Sequence, residues 1–197
     1  MKLVIFGSTG RSGQLLVKQA LAVGHEVIAF ARTPAKLEVQ DEQLSIVQGD
    51  VADINSVTEA ISRGDVVLST LGPARGAPAG VMSRGLSNIL AAMQENNVRR
   101  LIVVVGAGVG DPQDRPRLFD RLIGGLLRLV ARPVYDEMKG VADKVRASDV
   151  DWTLVRVPML TDAPSGGDVR VGYLGGDVGS RVSREDLAQF MLAQVTK

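Results

Sequence analysis

The apolar positions of this chain fall into short unbroken blocks separated by longer stretches with a helical repeat. Lys2–Phe6, Glu26–Ala31 and Leu44–Gln48 are blocks of strand length, and residues 65–69, 101–105 and 152–157 continue the series. Between them, residues 13–23 place Leu15, Leu16, Ala20 and Val23 on one helical face, and Gly24 stops that helix. Further helices are predicted over 53–61 with Asp53 as N-cap, over 80–97, and over 116–131 and 134–147, split at Arg132-Pro133. A closing helix over 183–195 opens with Ser183 as cap and Asp186 three positions on, an acidic variant of the capping box. Strands that alternate with helices predict an α/β fold: a doubly wound parallel sheet with right-handed crossovers and helices on both faces. One domain is expected over residues 1–197, with a small substrate-side region around 158–182. The glycine-rich stretch 161–181 is expected as a loop or short hairpin, and 111–117 as a polar loop.

The first strand runs straight into Gly7-Ser8-Thr9-Gly10-Arg11-Ser12-Gly13, and a periodic helix follows. In that context the glycines have distinct tasks: Gly7 turns the chain off the strand, Gly10 lets the backbone approach a diphosphate, and Gly13 lets the helix pack near the strand. The peptide N–H groups at the helix start bind the anion. Ser8, Thr9 and Ser12 can add hydroxyl donors, and Arg11 can add charge. The spacing differs from a Walker A loop, because no Lys-Ser/Thr pair follows the last glycine. The expectation is therefore a Rossmann fold that holds a dinucleotide.

The end of the second strand selects the cofactor. An acidic residue there marks NAD, whereas an arginine accepts the 2′-phosphate of NADP. Here the strand ends at Arg32-Thr33 with Lys36 close behind, and Glu38 comes too late. A guanidinium can grip a phosphate with two parallel bonds, and the lysine adds a point charge, so NADP(H) is the expected cofactor. Asp50 and Val51, after the third strand, are expected at the adenine. Thr70, Leu71 and Gly72, after the fourth, are expected beside the ribose or phosphates. Val105 and Gly106, at the end of the fifth, are expected near the nicotinamide.

Composition narrows the alternatives. Aromatic residues are 4% of the chain, so the core is built from Val, Leu, Ile and Ala, as a covered parallel sheet requires. The 23 basic residues against 22 acidic ones provide no excess positive charge for nucleic acid. With no cysteine and His25 as the one histidine, no metal site is expected. The opening apolar run is too short for a signal peptide, and no stretch approaches the roughly 20 apolar residues that span a bilayer. A cytoplasmic protein with no membrane partner, monomeric or weakly dimeric, is expected.

These residues resemble the atypical short-chain dehydrogenase/reductases, in particular the NmrA-like group and the biliverdin reductase B/flavin reductase type. The resemblance is carried by the glycine turn, Arg32, Gly49-Asp50-Val51, Leu71-Gly72 and Val81-Met82-Ser83-Arg84-Gly85. It continues through Asn88-Ile89, Ala91-Ala92-Met93, and the run from Arg146-Ala147-Ser148 to Asp151-Trp152-Thr153-Leu154-Val155-Arg156. It implies an NAD(P)-binding reductase or a cofactor-sensing regulator, with Arg32 and Lys36 matching a basic pair at the 2′-phosphate. Two positions depart from the biliverdin reductase pattern. Gly106 and Ala107 stand where that enzyme has a serine, and Met159 where it has a histidine. Without those polar groups the same proton route to a bilin is missing, whereas flavin reduction can take its proton from solvent.

Tyr135-Asp136-Glu137-Met138-Lys139 has the Tyr-x-x-x-Lys spacing of short-chain dehydrogenases. Residues i and i+4 share a helix face, so the Lys139 ammonium can lower the pKa of the Tyr135 phenol and make it an acid or base for a carbonyl. Tyr135 and Lys139 are the catalytic candidates. The expected activity is NADPH-dependent hydride transfer to a planar acceptor such as flavin or quinone. The alternative is a non-catalytic NADP(H) sensor that binds a protein partner. Arg156 inside a buried strand requires a partner, expected as a structural ion pair. His25 is expected exposed, Trp152 packed, and Arg75 and Arg84 at the edge of the cofactor cleft.

Overall fold

The computed structural model describes residues 1–73, 80–116, 131–167 and 169–197. Six strands, β1 (Lys2–Phe6), β2 (Glu26–Ala31), β3 (Leu44–Gln48), β4 (Val66–Ser69), β5 (Arg100–Gly106) and β6 (Asp151–Val157), form one sheet in the order β3-β2-β1-β4-β5-β6. All neighbouring pairs are parallel. The order reverses between β1 and β4, and in such sheets a crevice for a ligand opens there, at the carboxyl ends of the strands.

Alternation along the strands sorts two cores. Val4 and Phe6 of β1 point to one face, where they meet α2 (Ile54–Ile61), α3 (Val81–Glu95) and α4 (Arg132–Arg146) through Val57, Ile61, Ile89 and Val145. Leu3 and Ile5 point to the other face, where α1 (Arg11–Ala22) and α5 (Arg184–Leu192) cover them with Leu16, Val17, Leu187 and Met191. Because both faces are covered, the inner strands are apolar without a break over Leu3–Phe6, Val27–Ala31 and Leu101–Val105, as the sequence pattern required.

Local expectations are corrected at several points. Helix α1 starts at Arg11 rather than 13, because extended Gly10 is its N-cap and Gly13 already lies inside the first turn. Helix α4 starts at Arg132 with Pro133 in its first turn, where a missing N–H costs nothing. Among the described residues of 161–181 the loop alternative holds and the hairpin does not. Instead β7 (Met159–Thr161) and β8 (Arg181–Ser183) pair in parallel, and the long connection between them provides the return path that a parallel pair needs. Trp152 is 37% exposed instead of packed, because it lies near the start of β6, the edge strand. His25 is half-buried, and burial together with the Met1 ammonium lowers its pKa. The helix expected over 116–131 falls largely on 117–130, outside the described residues, as does Arg75.

Candidate functional site

The glycine turn sits at the crevice between β1 and β4. Gly7 has φ +79°, and a Cβ there would stand 2.9 Å from the Thr70 carbonyl carbon, so the turn lies directly against the end of β4. Thr70 Oγ1 fixes this approach within 3.3 Å of the Phe6 and Gly7 carbonyl oxygens. A Cβ on Gly13 would lie 2.1 Å from the Gly7 oxygen, which explains why only glycine lets α1 start so close to the strand. The Gly10 N–H donates to Gly7 O at 3.0 Å and closes the turn.

Gly10 is exposed and supplies no capping side chain, and no acidic residue stands in the first turn of α1. The start of α1 thus combines a positive helix-dipole end with backbone donors that no side chain caps. That arrangement fits a diphosphate. Ser8 does not contribute a hydroxyl: it is fully buried, and its Oγ donates to Phe30 O at 2.9 Å, tying β1's exit to β2. Thr9 and Ser12 are half-buried in the turn, and Arg11 is exposed and paired with Asp162 at 2.8 Å.

The other predicted cofactor residues line the same edge of the sheet. Arg32 leaves β2 exposed, and Lys36 ends the short 3-10 turn Pro34–Lys36, also exposed. Asp50 takes the Ala52 N–H on its Oδ1 at 2.9 Å in a turn after β3. Val51 is a core residue, 6% exposed, against which a Cβ at Gly85 would collide, and Asn88 Nδ2 donates to its carbonyl. Thr70, Leu71 and Gly72 follow β4 beside Gly7. Val105 is buried and Gly106 ends β5, its N–H directed at Met138 Sδ at 3.4 Å.

Tyr135 and Lys139 lie in α4 at the spacing predicted, Tyr135 half-buried and Lys139 exposed. The ammonium is engaged with Asp143 Oδ2 at 2.5 Å, and this hydrogen bond raises the pKa of Lys139 and keeps it cationic. Glu137 of the same helix turns the other way and accepts from the Gly80 and Ser83 N–H groups, so it caps α3. Arg156 finds the partner it needed: Asp114, on the loop after β5, takes its guanidinium at 2.6 and 2.7 Å. Each holds the other charged, the Asp114 carboxyl below its ordinary range and the Arg156 guanidinium above. The Arg156 guanidinium also lies 6.0 Å from the centroid of the Tyr173 ring.

Sequence reasoning missed Asp114, Met138, Asp162 and Tyr173. Each acts on a residue of a different element, and nothing along the chain marks that partner. Among the described residues no group of acidic or histidine side chains could hold a metal, and no helix is long and apolar enough to cross a membrane.

Comparison with known proteins decides the family. Residues 7–197 match the model of a family described as NAD(P)H-binding. The chain belongs to the NAD(P)H-binding family. Among curated relatives of this NAD(P)H-binding protein, YwnB of Bacillus subtilis is 32% identical over 108 residues, 55% of this chain and 48% of that protein. The UPF0659 protein C216.03 of Schizosaccharomyces pombe is 27% identical over 208 residues, 96% of this chain and 82% of that protein. Pinoresinol reductase 1 of Arabidopsis thaliana is 26% identical, covering 78% of this chain and 48% of that enzyme. The chain thus spans about half the length of YwnB and of the plant reductase. The fold is shared with ChuY, an anaerobillin reductase of Escherichia coli O157:H7, at TM-score 0.82 and 19% identity over 100% of this chain and 91% of that one. It is shared also with a short-chain dehydrogenase/reductase of Veillonella parvula solved with NADP, at TM-score 0.78 and 19% identity over 97% and 85%. The resemblance to atypical short-chain reductases and the Rossmann fold are therefore both borne out.

Proposed function

We propose that the protein is an NADPH-dependent reductase of the atypical short-chain type, acting on a planar acceptor such as a flavin or quinone. One observation carries this proposal: the uncapped start of α1 at Gly10, facing the crevice where the strand order reverses. The turn at 7–13 holds the diphosphate, Arg32 and Lys36 the 2′-phosphate, and Asp50 and Val51 the adenine side. Thr70, Leu71 and Gly72 flank the ribose, and Val105 and Gly106 the nicotinamide. Bound NADPH supplies the hydride.

The residues around the ends of β5 and β6 support an apolar, flat acceptor. Met159 of β7, and Val169, Val171 and Tyr173 in the connection from β7 to β8, are 62%, 37%, 73% and 44% exposed, apolar surface available to such an acceptor. Arg156 holds the Tyr173 ring near this edge, since Arg156 pairs in register with Val105 of β5. Gly106 and Met138 leave no hydroxyl there, so proton delivery falls to solvent or to Tyr135. Assays of NADPH oxidation with FMN, a quinone and dichlorophenolindophenol test the activity, and turnover with at least one acceptor is expected. Arg32→Ala is expected to weaken NADPH binding about tenfold and NADH binding little; equal losses would remove the NADP assignment.

A second proposal, a non-catalytic NADP(H) sensor with a protein partner, is favoured by one feature: Lys139 is already committed to Asp143. Tight NADP binding without turnover of any acceptor would select it.

A further inference from the structure

Asp162 follows β7, where the substrate-side segment begins, and its carboxylate is shared between arginines of two helices. Oδ2 accepts from Arg11 Nη1 at 2.8 Å, and Oδ1 accepts from Arg184 Nη1 at 2.6 Å. The two arginines differ in freedom. The Arg184 side chain is 10% exposed and that of Arg11 is 71% exposed. A buried guanidinium demands a counter-charge, so Arg184 fixes the carboxylate in place. The fixed carboxylate then gives direction to an arginine that would otherwise sweep a wide arc.

As a source of stability the Arg11–Asp162 pair contributes little, since exposed ion pairs are worth at most about 1 kcal/mol. Its effect is positional. Arg11 opens α1 directly after Gly10, at the start of the phosphate turn. A guanidinium carries five N–H donors, and Asp162 engages Nη1 alone. The chain after Asp162 is fastened as well. Ser165 Oγ donates to Asp186 Oδ1 at 2.5 Å, and the Gly166 and Gly167 N–H groups donate to the same carboxylate at 3.1 and 3.3 Å. Residues 162–167 are thereby tied at one end to the first turn of α1 and at the other to the first turn of α5.

We propose that Asp162 is the positioning residue of the phosphate turn: anchored by Arg184, it aims the remaining donors of Arg11 at the cofactor diphosphate and links the substrate-side segment to that turn. This inference rests on the dinucleotide site proposed above.

The test is calorimetric titration with NADP⁺ of the wild type, Arg11→Gln, Asp162→Asn and the double variant, with melting temperatures recorded alongside. Arg11→Gln is expected to weaken binding about tenfold, as loss of a charge-assisted contact does. Asp162→Asn is expected to weaken it about threefold, and the double variant to bind no more weakly than Arg11→Gln, because both changes remove one coupled unit. Asp162→Glu is expected to recover part of the loss. Should Asp162→Asn unfold, the Asp162→Asn/Arg184→Met background leaves no buried charge unpaired and carries the same cycle. Additive losses would overturn the proposal, as would tighter binding by Asp162→Asn, which would make the carboxylate a competitor of the diphosphate. A wild type that binds no dinucleotide would instead overturn the cofactor site itself, whereas wild-type binding that Arg11→Gln leaves unchanged overturns this inference alone.

Discussion

Helices α1 and α5 pack together on the same face of the sheet, yet their N-termini are built in opposite ways. The start of α5 is capped and braced by side chains. Ser183 Oγ accepts from the Asp186 N–H at 3.0 Å and donates to the Asp186 carboxylate at 2.7 Å, and the same carboxylate gathers Ser165, Gly166 and Gly167. The start of α1 has glycine at the cap and no acid in its first turn. Both termini carry the same backbone donors and the same positive dipole end. One is capped by its own Ser183 and becomes a structural anchor. The other carries no side-chain cap, as the proposed anion site requires.

Substitutions can break this contrast from either side. The largest effect is expected for Gly13→Ala. Its Cβ would stand 2.1 Å from a backbone oxygen that cannot step aside, so α1 must shift. A loss of about 3 kcal/mol in stability is expected, together with loss of dinucleotide binding, read by thermal melting and calorimetry. Next is Gly10→Asp, which makes α1 resemble α5. Gly10 has φ −76°, so a side chain fits its backbone. The new carboxylate is expected to cap the helix and raise stability by a few tenths of a kcal/mol, while NADP⁺ affinity falls about a hundredfold through repulsion of the diphosphate. A variant that binds NADP⁺ as well as the wild type would show that the bare terminus is not the anion site.

The capped terminus has its own signature in pH. Asp186 is 7% exposed, and the hydroxyls of Ser165 and then Ser183 hold its pKa down at about 2. A depressed carboxylate pKa stabilises the fold above the unfolded value, near pH 4, and that contribution disappears as pH falls through about 2. The expected loss is about 2 kcal/mol over this interval, visible as an acid limb in the melting temperature. Asp186→Asn should flatten that limb and cost a similar amount at neutral pH. An unchanged acid limb would mean that Asp186 does not differ in protonation between the folded and unfolded chain.

Much of this architecture was legible along the chain, because the determinants are local. Continuous apolar blocks announced buried strands, and Gly7, Gly10 and Gly13 announced a tight turn into a helix. Ser183 with Asp186 announced a helix start, and Asp53 does cap α2 by accepting from Asn55 and Ser56. The Ser8 hydroxyl was misjudged because its acceptor, Phe30 O, comes from the neighbouring strand. The Asp114–Arg156 pair and the Arg11–Asp162–Arg184 relay bring together residues from separate crossovers, and no spacing rule connects them. The parallel β7–β8 pair was read as a loop or hairpin because the pattern of a three-residue strand does not reveal its direction.

The sequence by itself determined the alternation of the six main strands with their helices, the two-sided core and the bare glycine turn. Hydrophobic period, glycine and cap residues act within a few positions of one another, so they can be read locally. Only the tertiary structure decided which charges meet at the carboxyl edge of the sheet. Those partners are set by where each crossover ends, and side chains that meet there lie as many as 151 positions apart in the chain.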